Sequence, residues 1–374
     1  MSPASHGLMG MRLTGMIDRR GFLAGAGALA GLALAGRSPV AAATSVTLVG
    51  WEGYDKPLEA YLKQHNIALD STYIGDSNQI ISKLTSGGVG RIDLVTPNVT
   101  YVPLLVKLDT LAAVDESKVP NLKNVHPFFL RNPSIRIDGK LYAVPYVWGG
   151  VPMMYDPAAM PSKPQSWADV LKPEFKGKVS MLDNLNNIQL AARVVTDAKI
   201  PTRLTPEQLK AAVDFLIKVK AQTRVLATSY GDMADALARG EAVITFNGWE
   251  VVVKKAADKG KKIAYVYPKE GTFGWMDCYC IVKNAPNRDV AHGLANEALT
   301  AAVQLKAGND ELLGILNTDA IKQLPEDKRK LYPYDDLEGF SRSVGFFPVA
   351  PLEPEGGIAT FDDWKKEYLR FKNA

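Results

Sequence analysis

Strand, loop and helix succeed one another in a steady rhythm through most of this chain, and that rhythm restricts it to an α/β fold more firmly than any single motif does. Residues 45–49 form a β-rich run ending at Gly50-Trp51-Glu52-Gly53-Tyr54, and residues 56–65 then carry helical spacing in Leu58, Tyr61 and Leu62. Ser71-Thr72-Tyr73-Ile74 is a second strand, residues 78–84 a helix, and residues 92–96 a third strand closed by Pro97-Asn98. A β-α-β-α-β order with continuously apolar strands predicts a parallel sheet covered by helices on both faces. Such sheets bind ligands beyond the carboxyl ends of their strands, which is where Trp51, Tyr54, Asn98 and Tyr101 fall.

Residues 141–150 stay extended through Pro145 and lead to Met154-Tyr155-Asp156, a pattern that suits a crossover between two lobes. A second alternation follows. Strands are expected at 179–182, 225–227, 242–246 and 263–266, with helices at 186–196, 206–221, 231–239 and 249–259. Thr205-Pro206-Glu207-Gln208 supplies a helix start, with Thr as the cap and Pro at the first helical position. Residues 275–282 read as a return strand to the first lobe. Two α/β lobes joined by extended crossovers make a hinge with a cleft between them. We place the first lobe at 44–145 with 272–312 and the second at 146–271 with 313–374.

Of 44 basic and 40 acidic residues, four arginines and one acid lie in the first 43 positions, so the basic excess is concentrated there. Asp18-Arg19-Arg20-Gly21-Phe22-Leu23 precedes a short Gly/Ala/Leu stretch and Ala41-Ala42-Ala43, the pattern of a twin-arginine export signal cleaved before Thr44. Residues 1–43 are therefore expected to be a removable leader, and the mature chain to be periplasmic. With 40 basic against 39 acidic residues beyond the leader, the balance argues against a protein that neutralises many nucleic-acid phosphates. Cys278 and Cys280, the two cysteines of the chain, are two residues apart in an apolar run and read as buried free thiols. With the histidines scattered, no metal-ligand spacing emerges, and no cofactor is expected.

Asp277 is the most informative residue. In a period-two reading Trp275, Asp277, Tyr279 and Ile281 share one face of a strongly apolar strand. A carboxylate there must meet an internal base, backbone N–H groups or a ligand cation, because an unpaired buried charge costs several kcal/mol. Trp51, Tyr54, Trp249 and Trp275 all stand at loops or strand ends. Together they would form an aromatic box around that carboxylate, an arrangement that holds organic ammonium groups.

Several segments together resemble the periplasmic spermidine/putrescine-type solute-binding proteins that feed ABC importers. They are Trp51-Glu52-Gly53-Tyr54, Val144-Pro145-Tyr146-Val147-Trp148-Gly149, residues 166–177, Asn247-Gly248, and Pro268-Lys269-Glu270-Gly271 with Trp275-Met276-Asp277. The resemblance implies the two-lobed type II periplasmic binding-protein fold, each lobe a mixed, mostly parallel sheet flanked by helices. It further implies a monomer that closes on a small cationic amine and delivers it to a permease in the inner membrane. Trp51, Tyr54, Trp249, Trp275 and Asp277 would contact the amine, with Asp183 or Asn187 arriving from the second lobe. The chain departs from the family where further acids are expected, in Asp183-Asn184-Leu185-Asn186-Asn187, and in its C-terminal part, residues 346–353 and 362–364. Fewer carboxylates would favour a monoamine, a betaine or an amino-acid-like zwitterion over a diamine; a phosphonate is a further alternative. Glu353 or Glu355 could restore the missing charge.

Catalysis has less support. The sequence holds no G-x-S-x-G turn, no H-E-x-x-H helix and no P-loop. A carboxylate pair of Asp183 and Asp277, acting as a secreted glycoside hydrolase, is the enzymatic alternative.

Overall fold

The computed structural model describes residues 43–374; the expected leader, except for its last residue, lies outside them. Its strands are, in order, β1 (Thr44–Gly50), β2 (Ile67–Tyr73), β3 (Leu94–Val95), the short pair β4 (Arg136–Ile137) and β5 (Lys140–Leu141), and β6 (Val144–Gly150). There follow β7 (Met153–Tyr155), β8 (Val179–Leu182), β9 (Thr223–Ala227), β10 (Ile244–Thr245) and β11 (Ala264–Val266), then β12 (Thr272–Ile281), β13 (Gly314–Ile315) and β14 (Val344–Gly345).

Two sheets result. The first runs β13-β6-β12-β3-β1-β2, with β14 added beside β12, and the second runs β11-β7-β10-β8-β9. The expected βαβ units form the parallel parts, β3-β1-β2 and β10-β8-β9. Where chain crosses between the sheets it enters antiparallel: β12 against β3 and β6, and β7 against β10 and β11. The sheets are thus mixed in equal measure rather than mostly parallel, because each crossover feeds a returning strand into the ladder.

The crossovers also refine the lobe boundaries. β6 continues to Gly150 in the first sheet, and β13 and β14 belong to that sheet too, so the chain changes sheets at Val151-Pro152 and beyond Gly345 rather than at 145 and 312. Pro152, which has no N–H to give a ladder, stands at the first change. Pro145 is instead accommodated inside β6 opposite Cys278, next to a register shift at Asp277/Cys278. Thr272 Oγ1 donates to the Val151 carbonyl at 2.7 Å, so the two crossovers run bonded side by side.

Local chemistry explains the elements around the cleft. Helix Pro206–Gln222 starts with a reciprocal cap between Thr205 and Gln208, and helix Phe361–Asn373 with one between Thr360 and Asp363. The first core gathers Leu48, Leu94, Trp148 and Tyr279, and the second Trp167, Phe246, Trp364 and Phe371. At Gly149 a Cβ would come within 2.5 Å of the Trp275 indole, so the absence of a side chain there lets the ring lie on bare backbone. Cys278 and Cys280 are buried free thiols, as expected.

Candidate functional site

A cavity of about 690 Å³ is lined from both sheets, and all nine residues singled out in the sequence border it. From the first sheet come Trp51 and Tyr54 after β1, Asn98 and Tyr101 after β3, and Trp275 and Asp277 on β12; from the second come Asp183 and Asn187 after β8 and Trp249 after β10. Five carboxylates line it, Glu52, Asp76, Asp183, Asp277 and Glu311, and no lysine, arginine or histidine among the described residues. The environment therefore favours a cation and disfavours a phosphonate.

Asp277 is 5% exposed. The hydroxyl of Tyr54 donates to its Oδ2 at 2.5 Å, and Oδ1 has no hydrogen-bond partner. Among the described residues no cation pairs with it. Burial pushes its carboxyl up to about 7, against the opposing pull of Tyr54 and the nearby Asn98. Burial, reinforced by Asp277, raises Tyr54 well above the ordinary phenol value, so Tyr54 remains the donor. Its position is fixed from behind: Tyr279, two residues along β12 on the same face, donates to the Tyr54 carbonyl at 2.9 Å, and Tyr146 packs edge-on at 5.2 Å.

The aromatic walls meet. Trp249 and Trp275 pack edge to face at 5.8 Å, and Tyr230, which the sequence reading missed, stands against Trp249 at 5.4 Å. Trp249 Nε1 donates to the Tyr332 hydroxyl at 3.1 Å, while Trp51 Nε1 is buried without a partner. Asn98 serves first as a turn cap, its Oδ1 accepting from the amide and hydroxyl of Thr100. Tyr101 is pushed up to about 12 by burial and by Asp76.

Two second-sheet residues behave differently from expectation. Asn187 is 1% exposed and its amide is engaged internally: Nδ2 donates to the Leu182 carbonyl at 2.8 Å, and Oδ1 accepts from Asn247 at 2.7 Å. Asn247 closes the ring by accepting from Leu182 N. Asn187 thus braces the wall rather than presenting a free amide. Asp183 accepts from Lys372 Nζ at 2.8 Å and from the Tyr368 hydroxyl, both on the C-terminal helix. Burial alone would raise its carboxyl, but these two donors outweigh it and hold the group below the ordinary range. Asp183 thus borders the cavity as a carboxylate that the protein itself already partners. Neither Glu353 nor Glu355 borders the cavity, and Glu355 pairs with Arg203.

Glu250 carried no signal in the sequence. It is fully buried beside the crossovers, its Oε1 accepting from Gly150 N at 2.8 Å and the Tyr267 hydroxyl at 2.5 Å, and burial lifts it to about 7. It does not border the cavity.

Known proteins share this architecture. The spermidine/putrescine-binding periplasmic protein of Escherichia coli K12 is 33% identical over 254 residues, 66% of this chain and 70% of that protein. That of Salmonella typhimurium is 32% identical over 324 residues, 83% and 89% of the two chains. Among solved structures, the spermidine/putrescine ABC transporter substrate-binding protein of Streptococcus pneumoniae superposes with a TM-score of 0.68 at 20% identity, covering 88% of this chain and 99% of that one. A binding protein of A. tumefaciens B6 in complex with glucopine gives 0.63 at 18% over 88% and 99%. At these identities the two structures speak to the type II periplasmic binding-protein fold alone. The family model described as bacterial extracellular solute-binding protein matches residues 56–329. With its two sheets, shared cavity and these relatives, the chain belongs to the bacterial extracellular solute-binding proteins.

Proposed function

We propose that this protein captures a small organic amine in the interlobe cavity and presents it to an ABC importer. The observation that carries this reading is Asp277: a buried carboxylate with one oxygen held by Tyr54 and, among the described residues, no partner for the other oxygen and no basic side chain in the cavity lining. The spermidine and putrescine named for its relatives are members of that ligand class. Asp277 Oδ1 calls for a hydrogen-bond donor, which a primary or secondary ammonium supplies and a quaternary betaine does not. Trp51, Trp249 and Trp275 would cover the methylene chain and the charge. The family is one of solute-binding proteins, and Asp183, engaged by Lys372 and Tyr368, lends the hydrolase reading no support.

Capture proceeds by closure. As the lobes approach, water leaves the space around Asp277, and the attraction between its charge and the ammonium strengthens in the lower dielectric. We assign the mature chain to the periplasm as a monomer, exported through the twin-arginine leader, with the permease recognising the closed form. Thermal melting and tryptophan fluorescence with putrescine, spermidine, glycine betaine, amino acids and a phosphonate test the ligand class. Amines should raise the melting temperature and change the emission. Shifts with the anion or the betaine and none with any amine would overturn the reading.

A further inference from the structure

The second-sheet side of the cavity carries features that amine capture at Asp277 does not use. Asp183 there is gripped by Lys372 and Tyr368 from helix Phe361–Asn373. The helix that delivers them is itself clamped. Phe371 is fully buried, Arg370 pairs with Asp214 and Glu367, and Lys220 Nζ donates to the carbonyls of Phe371 and Lys372 at 3.2 and 2.8 Å. Lys220 thereby adds a second positive charge near Asp183. In the same cavity lining, Gln189, Thr202 and Trp364 are 6%, 2% and 2% exposed, and each has a buried polar atom without a partner among the described residues: Oε1, Oγ1 and Nε1 respectively. All three are uncharged. Phe347, Val349 and Phe361 supply apolar surface to the same lining.

We propose that Lys372 acts as a built-in substitute for a second ligand ammonium at Asp183, so that the site selects amines with one cationic nitrogen, held at Asp277, and an uncharged polar group at the other end. This rests on the amine reading above. A second ammonium brought to Asp183 would meet the charge of Lys372, with Lys220 behind it, and would find no free carboxylate. An amide or hydroxyl would instead find Gln189 and Thr202 as acceptors and Trp364 as a donor, groups whose burial makes a partner valuable. The remaining acids do not compensate: Glu52 and Asp76 are exposed and screened by solvent, and Glu311 lies 3.6 Å from Lys56. The C-terminal part of the chain supplies Phe347, Trp364, Tyr368 and Lys372 to this side of the cavity.

Calorimetric titration of the full chain at about pH 8 with putrescine and N-acetylputrescine tests this, since the two share a four-carbon chain and differ in whether the far nitrogen is charged. The acetylated amine should bind about tenfold more tightly or better. Lys372→Met should shift the ratio of the two affinities towards putrescine by about tenfold, because it releases Asp183 for an incoming ammonium. Lys372→Gln, which keeps a polar group but not the charge, should shift it in the same direction. Equal or tighter binding of putrescine by the unmodified protein would overturn the proposal. So would an unmoved ratio in the folded Lys372 variants. Binding of neither compound would overturn the proposal, and no response to any other amine as well would overturn the amine reading on which it rests.

Discussion

Asp277 and Asp183 border the same cavity, yet the fold treats them oppositely. Asp277 comes from the middle of a ten-residue strand, where burial excludes water and the neighbouring side chains among the described residues offer a phenol, the nearby Asn98 amide and no cation. Asp183 comes from the end of a strand, where a helix from the far end of the chain brings it a lysine and a phenol. The first is pushed up towards neutrality and the second held in its charged form. A carboxylate next to a binding cavity is thus not by itself a ligand partner; what counts is whether the protein has already supplied its counter-charge.

The comparison can be broken most directly by Asp277→Asn. If this carboxylate is the ammonium partner, affinity should fall by about 2 to 5 kcal/mol, the range for deleting one member of a buried charge pair. Asp183→Asn, measured by the same titration, should cost under about 1 kcal/mol, as for a partly exposed pair already closed within the protein. Comparable losses would erase the distinction. Tyr54→Phe should sit between them, at about 1.5 to 3 kcal/mol for a lost hydrogen bond to a charged group, and replacing Trp249 or Trp275 by Leu at about 0.5 to 2 kcal/mol for the aromatic face.

Their pH signatures should differ in sign. An acid raised by folding holds its proton more firmly in the native state, so its favourable contribution is complete below about 4 and is lost as pH climbs through about 7. Asp277 and Glu250 both behave this way. Ligand-free protein should therefore melt at a higher temperature at about pH 6 than at about pH 8, and Asp277→Asn or Glu250→Gln should each reduce that difference. Amine affinity should run the other way, weakening below about pH 7 as Asp277 takes up a proton. For Asp183, lowered by folding, the stabilisation is present above its ordinary value and fades only at more acid pH. A flat melting profile between pH 6 and 8 would count against the unpartnered state of Asp277.

Much of this was legible in the chain because strand periodicity and turn chemistry are local. Residues 179–182 and 206–221 fold as their apolar spacing and the Thr205 cap indicate, the helix running one residue further to Gln222. The ends of β1, β3 and β10 place Trp51, Asn98 and Trp249 at the cavity because parallel strands present their following loops on one side. Strand length was less readable. Residues 242–246 look like a five-residue strand, but the ladder holds only Ile244–Thr245, since pairing depends on where β7 and β8 run. The roles of Asp183 and Asn187 were hidden for a related reason. Lys372 lies 189 positions from Asp183, and Asn247 lies 60 from Asn187, so no local pattern announces either partnership. Glu250 was missed because a single acid after Trp249 looks solvent-facing until the crossovers fold over it.

Gly149 has a consequence of its own. Because the indole of Trp275 rests on naked main chain, the depth of the recess next to Asp277 is set by a residue that offers the solute no functional group. A methyl group at that position would lift the Trp275 indole and make the recess shallower while leaving every other solute-facing side chain in place, so relatives could diverge in the size of molecule they accept without any change of residue among the groups that hold it.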